Sequence, residues 1–235
     1  MDFWPIESLT LDQMQAIGLS LRVAFLAMLA SLPFALMVAY ILARREFWGK
    51  GFLNILVHLP LFLPPVVTGY ILLTLLGRHS ILGVFFAKFG VQFAFHWAGA
   101  ALAAGVMAFP LFVRTMRLGL EAVDPKLEQA AASLGASQFW IFTTITLPMI
   151  LPSIIAGMIL SFAKGCGEFG ATITLVANIP GQTQTLPSAI YALLQIPGGQ
   201  TGAVTLITIS VLLAVGALSA AEVLGRYAAR WVAGR

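Results

Sequence analysis

The chain has 235 residues, of which 60% are hydrophobic and only 9% charged. Average soluble chains carry roughly 25% charged residues, so this one could not cover a water-facing surface. A cytosolic globular enzyme, a disordered chain and a nucleic-acid-binding domain are excluded. What remains is a membrane protein, with a formal net charge of +4 from 13 basic and 9 acidic side chains. Its one cysteine, Cys166, rules out an internal disulfide. The opening Met-Asp-Phe-Trp has no basic n-region, so no cleavable signal peptide is expected.

About 20 apolar residues are needed to cross a hydrocarbon core of about 30 Å. The first such run is Val23–Ala43, ended by Arg44 and Arg45. The second is Phe52–Leu76, interrupted by Pro60, Pro64 and Pro65, which break regular helical hydrogen bonding. The third is Phe93–Val113. The fourth starts at Leu147, meets Lys164 and continues weakly to Ala177. Split in two, it would give spans too short for the bilayer, so one long tilted helix is expected. The fifth is Ala203–Ala221. These runs predict an all-α polytopic protein of about five transmembrane helices, folded as one domain over 1–235.

The basic residues orient it. Arg44, Arg45, Lys50, Arg114, Arg117, Lys126, Arg226, Arg230 and Arg235 fall on one side, and Arg78 and Lys88 on the other. By the positive-inside rule the first side is cytoplasmic. Five spans then place the C-terminus inside and the N-terminus outside, and Asp2, Glu7 and Asp12 do not oppose that. Arg22, near the outer end of the first span, is expected to snorkel to the interface.

Chemistry is sparse. Gly165, Gly167 and Gly170 match G-x-G-x-x-G, but within an apolar run and beside the anionic Glu168. A dinucleotide site needs a strand before and a helix after, so these glycines read as close-packing positions. There is no P-loop pattern. His58, His79 and His96 lack metal-ligand spacing, and Ser161 lacks a nucleophile turn. No catalytic residue and no metal site is predicted.

Arg114–Thr146 is the longest cytoplasmic connection and carries soluble-helix chemistry. Asp124 can cap a helix beginning at Pro125. Ala130, Ala131 and Ala132 favour its interior, and Gly135 can take the left-handed stop. Ser137 can cap a second helix bearing Phe139, Trp140 and Phe142. Taken on this chemistry alone, the segment is either a helix-turn-helix linker or a docking helix for another protein. Lys164 and Glu168, four residues apart, read as a mutual ion pair more readily than as a device for steering an anion.

Gln129-Ala130-Ala131, three residues, Gly135, nine residues and then Ile145-Thr146-Leu147-Pro148 resemble the cytoplasmic signature of bacterial ABC importer permeases. Gln129 stands where that family usually has Glu, and Glu128 precedes it. The resemblance implies a type I importer permease fold. It also implies that Glu128, Gln129, Ala130, Ala131, Gly135, Ile145, Leu147 and Pro148 couple the chain to a separate ATPase.

Leu59–Tyr70 further resembles the corresponding helix of oxyanion permeases, and Gly167–Thr172, Asn178–Gly181 and Thr183–Pro187 resemble the molybdate members of the molybdate/sulfate permease group. That likeness implies a bacterial inner-membrane protein acting as a homodimer, beside a cytoplasmic ATPase dimer and a periplasmic or lipoprotein oxyanion-binding protein. ATP and magnesium would be held by the ATPase, and this chain would carry no cofactor. Membrane lipid is the remaining partner.

The candidate pathway residues are Pro64, Pro65, Glu168, Phe169, Gly170, Thr172 and Thr174. The two threonine hydroxyls could bind the oxyanion or bond back to their own helix. Tungstate or sulfate and thiosulfate transport are the neighbouring readings. An ATP-independent channel or secondary anion carrier is the reading from another class.

Overall fold

A computed structural model describes residues 9–233, with side chains described as far as residue 227. Asp2, Glu7 and Arg235 lie outside the described residues, as does the side chain of Arg230. The described chain is helical throughout, without strands.

Helix α1 runs Leu11–Arg44, about 51 Å of helix. Thr10 and Gln13 close a reciprocal capping box at its start: the Thr10 hydroxyl accepts from the Gln13 amide at 3.3 Å, and the Gln13 side chain accepts from the Thr10 amide at 3.0 Å. The second apolar run is two helices, α2 (Lys50–Phe62) and α3 (Pro65–Leu76), between which the chain turns by 113°. Pro64 has no amide hydrogen to give, and Pro65 holds it extended at ψ 134°, so no helix can pass through.

A short helix α4 (Ile81–Ala87) follows, and then α5 (Trp97–Ala122). Helix α5 starts later than the apolar run, because Phe95 sits at φ 57° and donates its amide to the Leu175 carbonyl at 3.3 Å. It also extends well past Val113, so Arg114–Ala122 continues the same helix. At one end of α5, Arg117 donates to the Asn54 side chain of α2 at 3.1 Å. At the other, Leu76 of α3 and Ala94 border a common cleft. The bent pair thus meets α5 near its end through Asn54 and the segment before its start through Leu76.

The connection holds α6 (Pro125–Ser133), α7 (Gln138–Ile141) and a π-helical turn, Phe142–Thr146. The fourth run corrects the expectation of one tilted helix. Helix α8 (Leu147–Cys166) stops, and α9 (Gly170–Val176) begins after a three-residue break. Gly165 and Gly167 weaken the helix there, and Glu168 supplies a side-chain cap for the new one. The Pro- and Gly-containing segment Asn178–Thr201 includes α10 (Leu186–Leu194), started by a Thr185–Ser188 capping box and by Pro187 in its first turn. Last comes α11 (Gln200–Ala233).

Four helices among the described residues are long and apolar enough to cross a membrane, and the bent α2–α3 pair, counted as one span, brings the number to five. Helices α1, α5 and α8 form the centre. Helices α1 and α5 run parallel, with Ala27 and Ser31 against Gly105. Helix α8 runs opposite, with Gly157 against Phe112 and Gly165 against Ala24 and Ala104. Small residues allow this approach where lipid supplies no hydrophobic drive. Leu42, Phe112, Met116, Leu120 and Ile150 fill the half nearer α6, and Val23, Ala104 and Leu175 the other half. Arg22 lies over the Trp97 ring at 4.1 Å, so its charge is held by an aromatic face.

Candidate functional site

Two places stand out, one within the membrane and one beyond its end. In the membrane the breaks of the second and fourth spans meet. A Cβ built on Gly170 would lie 2.7 Å from the Pro65 Cβ, and one built on Gly69 only 2.6 Å from the Ala171 carbonyl oxygen. Only glycine permits α3 and α9 to come so close.

Glu168 fixes this junction. One carboxylate oxygen accepts from Lys164 Nζ at 3.0 Å and the other from the Ala171 amide at 3.1 Å. A single buried side chain thus ties the last turn of α8 to the first of α9. Its charge is neutralised within the chain, which agrees with the ion-pair reading.

The predicted pathway residues divide at this point. Pro64 and Pro65 are exposed, Phe169, Gly170 and Thr174 partly so, and Glu168 and Thr172 buried. The Thr172 hydroxyl donates to the Phe169 carbonyl at 2.8 Å and that of Thr174 to Gly170 at 2.8 Å. Both hydrogens are turned to the helix itself, so in this conformation these hydroxyls can accept but not donate. Phe169 packs against Tyr191 of α10, ring centroids 5.2 Å apart.

Sequence reasoning missed Tyr70 and Tyr191, 61% and 50% exposed beside the junction. A phenol inside a span needs a polar partner. The available signal was the single aromatic Tyr70 within Val66–Leu76.

Beyond the membrane, α6 forms as its residues dictate. Asp124 accepts from the Lys126 amide at 2.9 Å, Gly135 takes φ +87°, and Ser137 accepts from the Trp140 amide at 3.3 Å. No residue of α6 is buried. Gln129, Ala130 and Gly135 are exposed, Ala131 partly so, and Leu134, Phe139 and Trp140 continue an open apolar surface. Ile145, Leu147 and Pro148 are half-buried behind that surface, and Glu128 also turns inward.

The description of the binding-protein-dependent transport system inner membrane component matches residues 31–229. The chain belongs to that family. The permease is 55% identical over 219 residues to the molybdenum transport system permease protein ModB of Escherichia coli K12, covering 93% of this chain and 96% of the relative. It is 49% identical to ModB of Haemophilus influenzae, covering 91% and 94%. With the sulfate transport system permease protein CysT of Salmonella typhimurium it shares 37%, covering 77% and 65%. Among solved structures, a bacterial ABC transporter for import of the polysaccharide alginate superposes with a TM-score of 0.71 at 20% identity, covering 93% of the permease and 80% of that chain. That likeness shows the fold.

Proposed function

We propose that this permease is the membrane subunit of an ATP-driven importer of molybdate. The observation that carries the substrate is the 55% identity over 93% of the chain with ModB, against 37% over 77% with the sulfate permease. Helix α6 supports the ATP-driven part: a capped helix with no buried residue, next to exposed Leu134 and Trp140, is shaped to be held by another protein. That protein is a cytoplasmic ATPase dimer, which binds ATP and magnesium. A periplasmic or lipoprotein oxyanion-binding protein delivers substrate at the opposite face. The N-terminus then lies outside and the C-terminus in the cytoplasm.

Molybdate is a dianion, and bare transfer through lipid is prohibitive. Five spans are too few to enclose a path, so a second copy of the permease completes it. The α3–α9 junction, with Pro64, Pro65, Phe169, Gly170 and Thr174 on its accessible side, lines that path. Neutral donors suit transport, because a strong site would trap the ion. Thr174 would serve by rotating its hydroxyl away from Gly170. Glu168 and Thr172 support the path from behind.

Elemental analysis of cells with and without the gene tests the substrate, using trace molybdate with excess sulfate in a parallel culture. Cellular molybdenum falls on deletion, and sulfate does not compete. Unchanged molybdenum with reduced sulfur uptake would assign the permease to sulfate.

A further inference from the structure

Helix α6 lies against the rest of the chain without burying a single residue, so its orientation depends on polar ties. The main one is Glu128. Its Oε1 accepts from the Arg44 guanidinium at 3.0 Å and from the Thr146 hydroxyl at 2.7 Å. The same Arg44 nitrogen donates to the Val123 carbonyl, where α5 ends, at 3.2 Å. One carboxylate thus joins the ends of α1 and α5 to the turn that starts α8. The ion pair is largely shielded, with side chains 13% and 22% exposed, so it is screened less than a surface pair.

The π turn presents Thr146 to it. Pro148 has no amide hydrogen for the Thr144 carbonyl, and the Leu147 amide reaches back five residues to Phe142. One extra residue in the turn changes the facing of side chains by about 100° relative to a continuous α-helix. Thr146 is thereby turned inward, 1% exposed, with its hydroxyl on Glu128.

We infer that Glu128 is a positioning residue for coupling: with Arg44 and Thr146 it forms a clamp that passes displacement of α6 to α1, α5 and α8. This rests on the importer reading above. It gives Glu128 an internal role in place of a contact to the ATPase. The π turn and Pro148 then serve to aim Thr146.

The test uses the assembled complex of permease, ATPase subunits and binding protein in proteoliposomes. ATP hydrolysed per molybdate transported is measured for Thr146→Val, Glu128→Gln, Glu128→Ala and the exchange Arg44→Glu with Glu128→Arg. The ratio rises about tenfold in Glu128→Ala, near the scale of a lost charge-assisted hydrogen bond, and about threefold in the milder Thr146→Val. The exchange restores it to within about twofold of the unsubstituted complex, as a paired charge should. A merely structural role would lower hydrolysis and uptake together and leave the ratio unchanged, and that result overturns the clamp.

A spin label on Lys126→Cys reads the clamp without reference to substrate. Its mobility in the complex rises with Thr146→Val, and unchanged mobility contradicts the inference. If the unsubstituted complex moves no molybdate, the substrate reading fails while the label still decides on the clamp.

Discussion

Helices α6 and α9 are nearly equal in length, nine residues and seven, yet they are held in opposite ways. Helix α9 buries Ala171, Thr172, Leu175 and Val176, and is fixed by glycine contacts and by Glu168. Helix α6 buries nothing and hangs on caps and one carboxylate. Isolated helices this short are unstable in water. Helix α9 draws its stability from packing, whereas α6 has only its caps and polar ties to draw on. On the proposed function, the difference separates a rigid place for substrate passage from an adjustable place for force to enter.

Substitutions can sharpen this contrast. The largest effect is expected at Glu168→Ala, which leaves Lys164 unpaired and the Ala171 amide uncapped. Breaking a buried pair costs about 3–5 kcal/mol, reduced here to about 2 because Lys164 is 37% exposed. Thermal unfolding in detergent should fall by several degrees, and uptake should be lost.

Gly69→Ala comes next. Its new methyl collides with the Ala171 carbonyl, and overpacking costs about 1–3 kcal/mol. Transport should fall steeply while the ATPase still co-purifies. Gly135→Asp has no neighbour to strike within 4 Å, so only the left-handed backbone resists it, at about 1 kcal/mol. It should leave the membrane domain's unfolding temperature unchanged and raise ATP hydrolysis per molybdate. Smallest in stability is Trp140→Ala, an exposed site expected within about 0.5 kcal/mol. Its effect should appear only as weaker ATPase association in pull-down assays.

The same contrast explains what the sequence disclosed. Helix α6 was legible because its determinants are local: Asp124, Pro125, Gly135 and Ser137 act within a few residues of where they stand. The bend at Pro64 and Pro65 was legible for the same reason. The break at Gly167–Phe169 was not, since weak hydropathy continues to Ala177 and the close approach of Gly170 and Ala171 to Pro65 and Gly69 is tertiary. Helix α10 had a readable cap at Thr185, masked by the Pro- and Gly-rich composition around it. The partners of Glu128 could not be read at all, because Arg44 lies 84 residues away and Thr146 faces it only through the π turn.

The central claim is that this permease passes molybdate only when partner subunits act on α6. Molybdate uptake into proteoliposomes tests it directly, comparing the permease alone with the complete complex, with and without ATP at the ATPase face. Flux is expected only from the complete complex with ATP. Sustained molybdate flux through the permease alone would contradict it and make the protein a channel or carrier.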